Sequence, residues 1–553
     1  MKRIPIGISD FEDLRTKDYY FVDKSMLCAD VVRSGAKVLL LPRPRRFGKT
    51  LGMSMLNCFF SDRSNKGAAL FEGLAVTEHA EVMAHCGAYP TIFLTFKDQK
   101  HSSYSRMMQS MSMLISGLYL AHQDILKAAE PEGLEQKIVQ AIIEGEANEV
   151  NLEGSLRLLT MLLHKATGKK VVVLIDEYDM PIHSAFNNGY YDEMVVFVRN
   201  LLSGVFKDNP HLEKGVLTGI MRIAKESIFS GLNNLKVHTL LDVPFSSHFG
   251  FTEPEVFDIL TFTGQDHRSE EVKTWYNGYQ IGSHTMYNPW SIMNVADAPE
   301  SPLESHWVNT SDNRLIRDLV VNDRAMADDA FPTLLRGETI EMEIETNIVL
   351  EDIPDQALWS MMLFSGYLTA LSIDRQTGYP VCTLAIPNRE VRFFFEKTVR
   401  HWLVKQTGKS KLKPMLAALL EGNFDFFAHH FAQAVRHTLS YHDTGGDEPE
   451  RVYHVFLLGM LMDLKQTYHI RSNRESGYGR YDIMIIPKEP GHPGFVFEFK
   501  QCNGDPQIMA KEALDQIRQR DYVAELQAAG ATPCHAIGVA CSGKQVALEI
   551  GAF

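Results

Sequence analysis

The aliphatic run Val38–Leu41 opens into PRPRRFGKT and then into LGMSMLNCFF, a stretch with the composition of a helix. A strand, a loop ending in GKT and a helix, in that order, is the context a phosphate-binding loop requires, and it commits the surrounding chain to a parallel sheet wrapped by helices. In such a loop the backbone N–H groups around Gly48 and the positive end of the helix hold phosphates. Lys49 reaches the β and γ oxygens, and the Thr50 hydroxyl ligates Mg²⁺. The usual GxxxxGK[ST] pattern has glycine at its first position, where this chain has Arg43 followed by Pro44. The loop therefore departs from the ordinary shape, and a basic turn that contains GKT is the alternative to set beside it.

A second segment favours the phosphate reading. KKVVVLIDEYD carries five apolar residues ending in Asp176 and Glu177, the form of a Walker B strand in which Asp176 supports Mg²⁺ and Glu177 activates the attacking water. YPTIFLTF reads as a further strand, the additional one expected when the two Walker strands are not adjacent. EKGVLTGIM offers another, with Thr218 where a polar sensor of the γ-phosphate is often placed, although a strand-end cap has the same appearance. Arg43, Arg45 and Arg46 are assigned to nucleotide phosphates from their place in the loop. Arg222 is either a phosphate-sensing arginine or a solvated helix residue.

Near the other end lies GRYDIMIIPKEPGHPGFVFEFK. Successive strand residues point to opposite faces, so Glu498 and Lys500 share one face while Phe497 and Phe499 fill the other. The Pro- and Gly-rich PKEPGHPG reads as the turn that brings Asp482 back beside them. Two carboxylates suit a hard divalent cation such as Mg²⁺, and a neighbouring ammonium orients water or stabilises charge on a phosphate, which points to metal-assisted phosphodiester hydrolysis. An amphipathic edge strand shows the same alternation. Arg471, Arg474 and Arg480, just upstream, are candidates for contact with a nucleic-acid backbone, or for a solvated loop.

Asp482, Glu498 and Lys500 lie in a hairpin that resembles the D…ExK hairpin of the PD-(D/E)XK nuclease superfamily, and the surroundings also resemble that fold. EPERVYHVFLLGMLMDL reads as a preceding helix, and Glu450 resembles the acidic residue that superfamily often supplies from it. ALDQIRQRDYVAEL reads as a second helix on which Gln516 and Tyr522 resemble the Gln/Tyr pair of some members, here six residues apart instead of four. HAIGVACSGKQVAL suits two further strands. The larger pattern is PIGISDFEDLRTKDYYFVDKSMLC, RPRRFGKT, LIDEYD, GIMRIAKESIFSGLNNL, WYNGYQIG with YNPWSI, and finally GRYDIMI…FEFK. In that order it resembles bacterial AAA-ATPase-like proteins with a C-terminal PD-(D/E)XK domain, a family in which the arginine-rich loop without its first glycine is usual. The resemblance implies ATP and Mg²⁺ as cofactors, and a nuclease-like domain acting on nucleic acid.

With 553 residues the chain has the length of three or four domains, its 45% hydrophobic and 22% charged fractions are those of an ordinary soluble globular protein, and an α/β multidomain fold is expected from its strand and helix pattern. The expected organisation is an AAA-ATPase-like P-loop domain at 1–250, a helical, aromatic lid region at 251–345, a helical connector at 346–442 and a small PD-(D/E)XK-type α/β domain at 447–553, with HDTGGDEPE as the last linker. No apolar run approaches the ~18 residues of a membrane span, and the N-terminus lacks the apolar core of a secretory signal, so a cytoplasmic location is expected. The seven cysteines contain no CxxC pair and read as thiols, while His183, His248 and His454 read as structural. A formal charge of −14 argues against nonspecific coating of nucleic acid but not against a nuclease with a local basic site. The reading is an ATP-binding protein, an ATPase coupled to Mg²⁺-dependent phosphodiester hydrolysis with DNA the favoured substrate. The alternatives are a nucleotide-controlled switch that binds nucleic acid or a partner without cutting, and a scaffold in which neither site works. The sequence leaves the oligomeric state open.

Overall fold

The computed structural model describes residues 2–63, 67–221, 234–307, 330–348, 355–376, 378–407, 409–438, 467–476, 479–501, 504–542 and 545–553, together with 457, 460, 461 and 464. Arg222, His454, Glu450, the linker HDTGGDEPE and most of the helix expected after it lie outside the described residues. The chain divides into two compact units, residues 1–311 with 341–390, and residues 312–340 with 391–553.

The first unit is built on five strands: β1 (Val38–Pro42), β2 (Thr91–Thr95), β3 (Val171–Asp176), β4 (Leu212–Gly219) and β5 (Leu235–Val237), paired in parallel in the order β2-β3-β4-β1-β5. β1 and β3 are buried along their whole length, which is why their sequences are continuous aliphatic runs without alternation. One expectation needs correction. The strand that separates the two Walker strands is β4, carrying Thr218, whereas the TIFLT strand β2 lies outside β3. Order along the chain does not dictate order across a sheet, because helical crossovers let a later strand insert between earlier ones. The register places Thr95 beside Asp176 and Leu41 beside Thr218. The carboxyl ends of four strands thus open on one place, where ligands bind in open α/β sheets.

Helices cover this sheet for local reasons. Glu149–Thr167 starts where the Asn148 side chain accepts the Asn151 N–H at 2.9 Å, and it stops at Gly168 in the left-handed region. Lys49–Phe60 buries Met53, Leu56 and Phe59. Beyond the sheet, Glu253–Phe262 is opened by a Thr252/Glu255 capping box and Pro289–Asp297 by the Asn288 side chain. The hairpin Tyr279–Ile281/His284–Met286 lies between them in sequence. Phe251, Ile259, Val272, Tyr276 and Ile292 form the core of this region, so the aromatics of WYNGYQIG serve packing. Within the connector expected to be helical at 346–442, a helix covers Asp355–Phe364. Gly366 then turns at φ +88° and the chain continues as the strand Thr369–Asp374, antiparallel to Val381–Ala385.

The second unit includes the helix Phe424–Thr438 and a mixed sheet of β6 (Tyr468–Ser476), β7 (Gly479–Pro487), β8 (Gly494–Gln501), β9 (Cys534–Ser542) and β10 (Gln545–Ala552), in that spatial order. β8 and β9 are parallel and the other neighbours antiparallel. The parallel crossover is the helix Pro506–Arg520, capped by Asp505, followed by Val523–Ala528. Tyr481, Met484, Val496, Ile517 and Leu526 are part of the core between helices and sheet. The sheet and crossover match the expected small α/β domain.

Candidate nucleotide site and candidate metal-dependent site

Asp176 ends β3 with its side chain fully buried. Three hydroxyls from three different elements donate to it: Thr50 at 2.8 Å and Thr95 at 3.3 Å to Oδ2, and Thr218 at 2.7 Å to Oδ1. A buried carboxylate without partners would be costly, so this hydroxyl cage is what keeps Asp176 in place. Thr95 was not singled out from the sequence, although its position at the end of an aliphatic strand, like that of Asp176, is the signal that finds it. Lys49 is buried, and its ammonium donates to the carbonyls of Arg43 at 3.1 Å and Pro44 at 3.0 Å. Burial lowers its pKa, against the pull of Glu177, Asp176 and Asp179. Glu177 follows at φ +52°, and burial raises its carboxyl while Lys49 opposes the rise.

Gly48 caps the Lys49–Phe60 helix at φ +82°, a conformation that favours glycine. The rest of the loop is held from outside. Arg45 is half-buried, and its carbonyl accepts from Asn288 Nδ2 at 3.4 Å. Arg46 is exposed and lies 4.4 Å over the Trp290 ring. The Phe47 carbonyl accepts the Gly250 N–H at 3.1 Å.

The assignment of Arg43 to phosphates is overturned. Its side chain is fully buried, and its guanidinium donates to the carbonyls of Pro42 (2.7 Å), His238 (2.7 Å) and Phe245 (3.0 Å) while its backbone N–H reaches the Gly219 carbonyl at 3.0 Å. Burial brings its pKa down to about 10. In place of the missing glycine, a cation fastens the end of β1 to the chain that follows β5.

Asp179, three residues beyond Asp176, was also missed. It is fully buried, and its Oδ2 accepts the N–H groups of Ile220 at 2.7 Å and Met221 at 3.3 Å, with His183 Nε2 at 3.5 Å. Burial pushes its carboxyl up, but His183, the Ile220 N–H and Lys49 outweigh burial and hold it below the ordinary value. A Cβ on Gly219 would stand 2.8 Å from Asp179 Oδ1 and 2.8 Å from the Tyr178 ring, so glycine there allows the carboxylate to reach the turn after β4. His183 and His248 each have an acidic partner, His248 bonding Asp30 Oδ2 at 2.6 Å.

In the second unit, β7 and β8 pair from Ile485↔Phe495 to Ile483↔Phe497, and one step further the register brings Asp482 opposite Glu498. There the backbone ladder stops. Asp482 Oδ2 accepts the Phe499 N–H at 2.7 Å, replacing a ladder bond and drawing its carboxylate over β8 beside Glu498. Glu498 is buried at 6% exposure, and its Oε1 accepts from Gln516 Nε2 on the crossover helix. Lys500 follows two residues along the same strand, partly exposed. Asp482, Glu498, Lys500 and Gln516 are thus brought to one end of the sheet. Tyr522 is buried, its ring against Tyr481 at 6.1 Å, and burial followed by Glu498 raises its phenol. Six residues along one helix would turn Tyr522 roughly 240° away from Gln516. The left-handed Asp521 at φ +54° breaks the helix and turns Tyr522 back. Arg471 pairs with Glu525, so it braces β6 against the Val523–Ala528 helix and is not directed at Asp482. The side chains of Arg474 and Arg480, like Glu450, lie outside those described.

Among the described residues no three His, Cys, Asp or Glu side chains cluster at metal-binding geometry. The donor sets remain compatible with Mg²⁺, which binds through one or two carboxylates and otherwise through hydroxyls, water and phosphate. Asp176 with Thr50 is one such set, and Asp482 with Glu498 the other.

Residues 5–229 match the family model of predicted AAA-ATPases, and residues 448–549 match that of the PD-(D/E)XK nuclease superfamily. Over nearly its whole length the chain is similar to an uncharacterized protein encoded in the vnfD 5′ region of Azotobacter chroococcum mcd 1. The two are 27% identical over 554 residues, which covers 97% of this chain and 96% of the relative. No described helix is long and apolar enough to cross a membrane.

Proposed function

We propose that this chain, which joins an AAA-ATPase-like domain to a PD-(D/E)XK-superfamily domain, is a cytoplasmic ATPase whose nucleotide cycle accompanies Mg²⁺-dependent cleavage of DNA. The observation that carries the reading is the Thr50 hydroxyl on Asp176, with the Lys49 ammonium resting on the carbonyls of its own loop. This is a phosphate site folded before its ligand arrives. Lys49 exchanges two carbonyls for phosphate oxygens, and the backbone N–H groups at Gly48 and the helix end receive the remaining charge. Thr50 and Asp176 hold Mg²⁺, which supplies charge neutralisation at the phosphates. Glu177, whose carboxyl burial raises above its ordinary value, takes a proton from water, and Thr218 and Arg46 flank the γ-phosphate.

At the second site Asp482 and Glu498 hold Mg²⁺, Gln516 orients the Glu498 carboxylate, and Lys500 stabilises charge on the scissile phosphate. Glu450 is proposed to add a further carboxylate. The test is a cleavage assay on DNA and RNA with Mg²⁺, with and without ATP, comparing wild type with Lys49→Ala and Asp482→Ala. Cleavage confined to DNA, abolished by Asp482→Ala and made ATP-independent or lost by Lys49→Ala is the expected pattern. Equal cleavage by wild type and Asp482→Ala ends the catalytic assignment and leaves a nucleotide-controlled binding module.

A further inference from the structure

The two aromatic, turn-rich segments WYNGYQIG and YNPWSI meet at one short stretch of chain, residues 387–390. Asn388 Nδ2 donates to the Asn277 carbonyl at 2.8 Å, and the Arg389 guanidinium lies 4.6 Å over the Trp275 ring. Glu390 accepts from Ser291 Oγ at 2.8 Å. A Cβ on Gly278, at φ +101°, would collide with the Pro387 carbonyl, so glycine is what lets the chain approach this closely. Glu390 is the last residue of the first unit, and the helix Arg389–Thr407 carries the chain on into the second.

Ser291 belongs to the helix Pro289–Asp297, whose other contacts reach the phosphate loop. Asn288 caps that helix with Oδ1, which accepts the Trp290 N–H at 2.9 Å, and its Nδ2 donates to the Arg45 carbonyl at 3.4 Å. Trp290 carries Arg46 on its ring, with Arg46 held at φ +66°, a conformation uncommon for a residue with a Cβ. The two ends of this arrangement differ in strength. On the loop side, a long amide bond and an exposed cation–π contact are both weak. On the other, Glu390 is fully buried and takes three donors at 2.7–2.8 Å. A γ-phosphate offers Arg46 an anionic partner in place of a ring face, which is the stronger contact, so the weak side is the one that nucleotide can break.

We propose that Asn288, Trp290 and Ser291 form a relay that signals nucleotide at the phosphate loop to the start of the helix Arg389–Thr407. The γ-phosphate takes Arg46 from Trp290, the helix Pro289–Asp297 loses its hold on the loop, and the Ser291–Glu390 contact that fixes the next helix is loosened. The proposal rests on the phosphate-site reading above, and its test separates the two. Hydrogen–deuterium exchange and titration calorimetry on the full chain, with Mg²⁺ and with or without ATP, compare wild type, Trp290→Ala and Ser291→Ala. In wild type, ATP is expected to speed exchange of the amides at 393–398 by about 2–5-fold, the range of one exposed cation–π contact. Trp290→Ala should exchange at the ATP-bound rate without nucleotide. By linkage it should also bind ATP about 2–5-fold tighter, because Arg46 is already free, whereas loss of a contact that only supported the fold would weaken binding. Ser291→Ala should bind ATP within about threefold of wild type and show no ATP response in the helix. Wild type that binds ATP with unchanged exchange at 393–398 overturns the relay and leaves the phosphate site standing. Failure of wild type to bind ATP overturns both. Weaker ATP binding by Trp290→Ala, or an ATP response that survives Ser291→Ala, refutes the relay as well.

Discussion

Glu390 is fully buried, with its carboxylate accepting from Ser291 Oγ at 2.8 Å and from the N–H groups of His306 and Trp307, each at 2.7 Å. It ties the Pro289–Asp297 helix to the chain at 306–307. Two effects compete. Burial disfavours the charged form, while three donors favour it, and burial wins, raising the carboxyl from 4.5 to about 7. Between these values the folded chain keeps a proton that the unfolded chain has released. The contribution to stability is thus complete below about pH 4.5 and is lost as pH rises through about 7. A shift of about 2.5 units corresponds to about 3 kcal/mol. Glu390→Gln removes the titration and keeps the shape: its amide oxygen accepts from the two N–H groups, and its NH₂ donates to Ser291 Oγ once that hydroxyl turns. Urea unfolding followed by tryptophan fluorescence should give wild type and variant similar stability near pH 5. The variant should be favoured progressively, by about 3 kcal/mol at pH 8. A difference that stays constant with pH would show that the three donors balance burial and that Glu390 ionises in its ordinary range.

Arg43→Gly, which restores the glycine of the general phosphate-loop pattern, should destabilise the first unit by about 2–5 kcal/mol, because three buried carbonyls lose a charged donor. Denaturant melts check this, and a neutral or stabilising result refutes the structural role. Glu177→Gln should keep nucleotide affinity within about threefold and slow hydrolysis by about 10²–10⁴, the range of a general base. Unchanged turnover in a phosphate-release assay would exclude Glu177. Gln516→Ala should reduce cleavage by about 10–100-fold, as loss of a group that orients a metal-binding carboxylate does, and weaken the Mg²⁺ dependence in parallel. A drop in rate with unchanged Mg²⁺ dependence would mean that Gln516 does not act through Glu498.

What could be read in advance divides along physical lines. The aliphatic strands, the acids at the end of β3 and the D…ExK hairpin are local patterns, fixed by burial and by the two-residue period of a strand, and the expected elements appear at those places. The errors concern partners distant in sequence. Arg43 resembles a phosphate ligand because it stands in a basic loop; its actual partners at 238 and 245 lie 195 and 202 residues away. β4 displaces β2 from the middle of the sheet because no residue in either strand encodes its neighbour. The Gln516/Tyr522 spacing looked wrong only for an unbroken helix. Once Asp521 takes a left-handed turn, six residues bring both side chains towards Glu498. Asp179 joins the two cases. It lies within a local motif, three residues after Asp176, yet its role depends on the Ile220 and Met221 amides and on the space left by Gly219. Gly219 follows Thr218 directly, so the glycine that admits Asp179 and the hydroxyl that holds Asp176 belong to one strand end. A substitution at either should therefore disturb the other carboxylate as well.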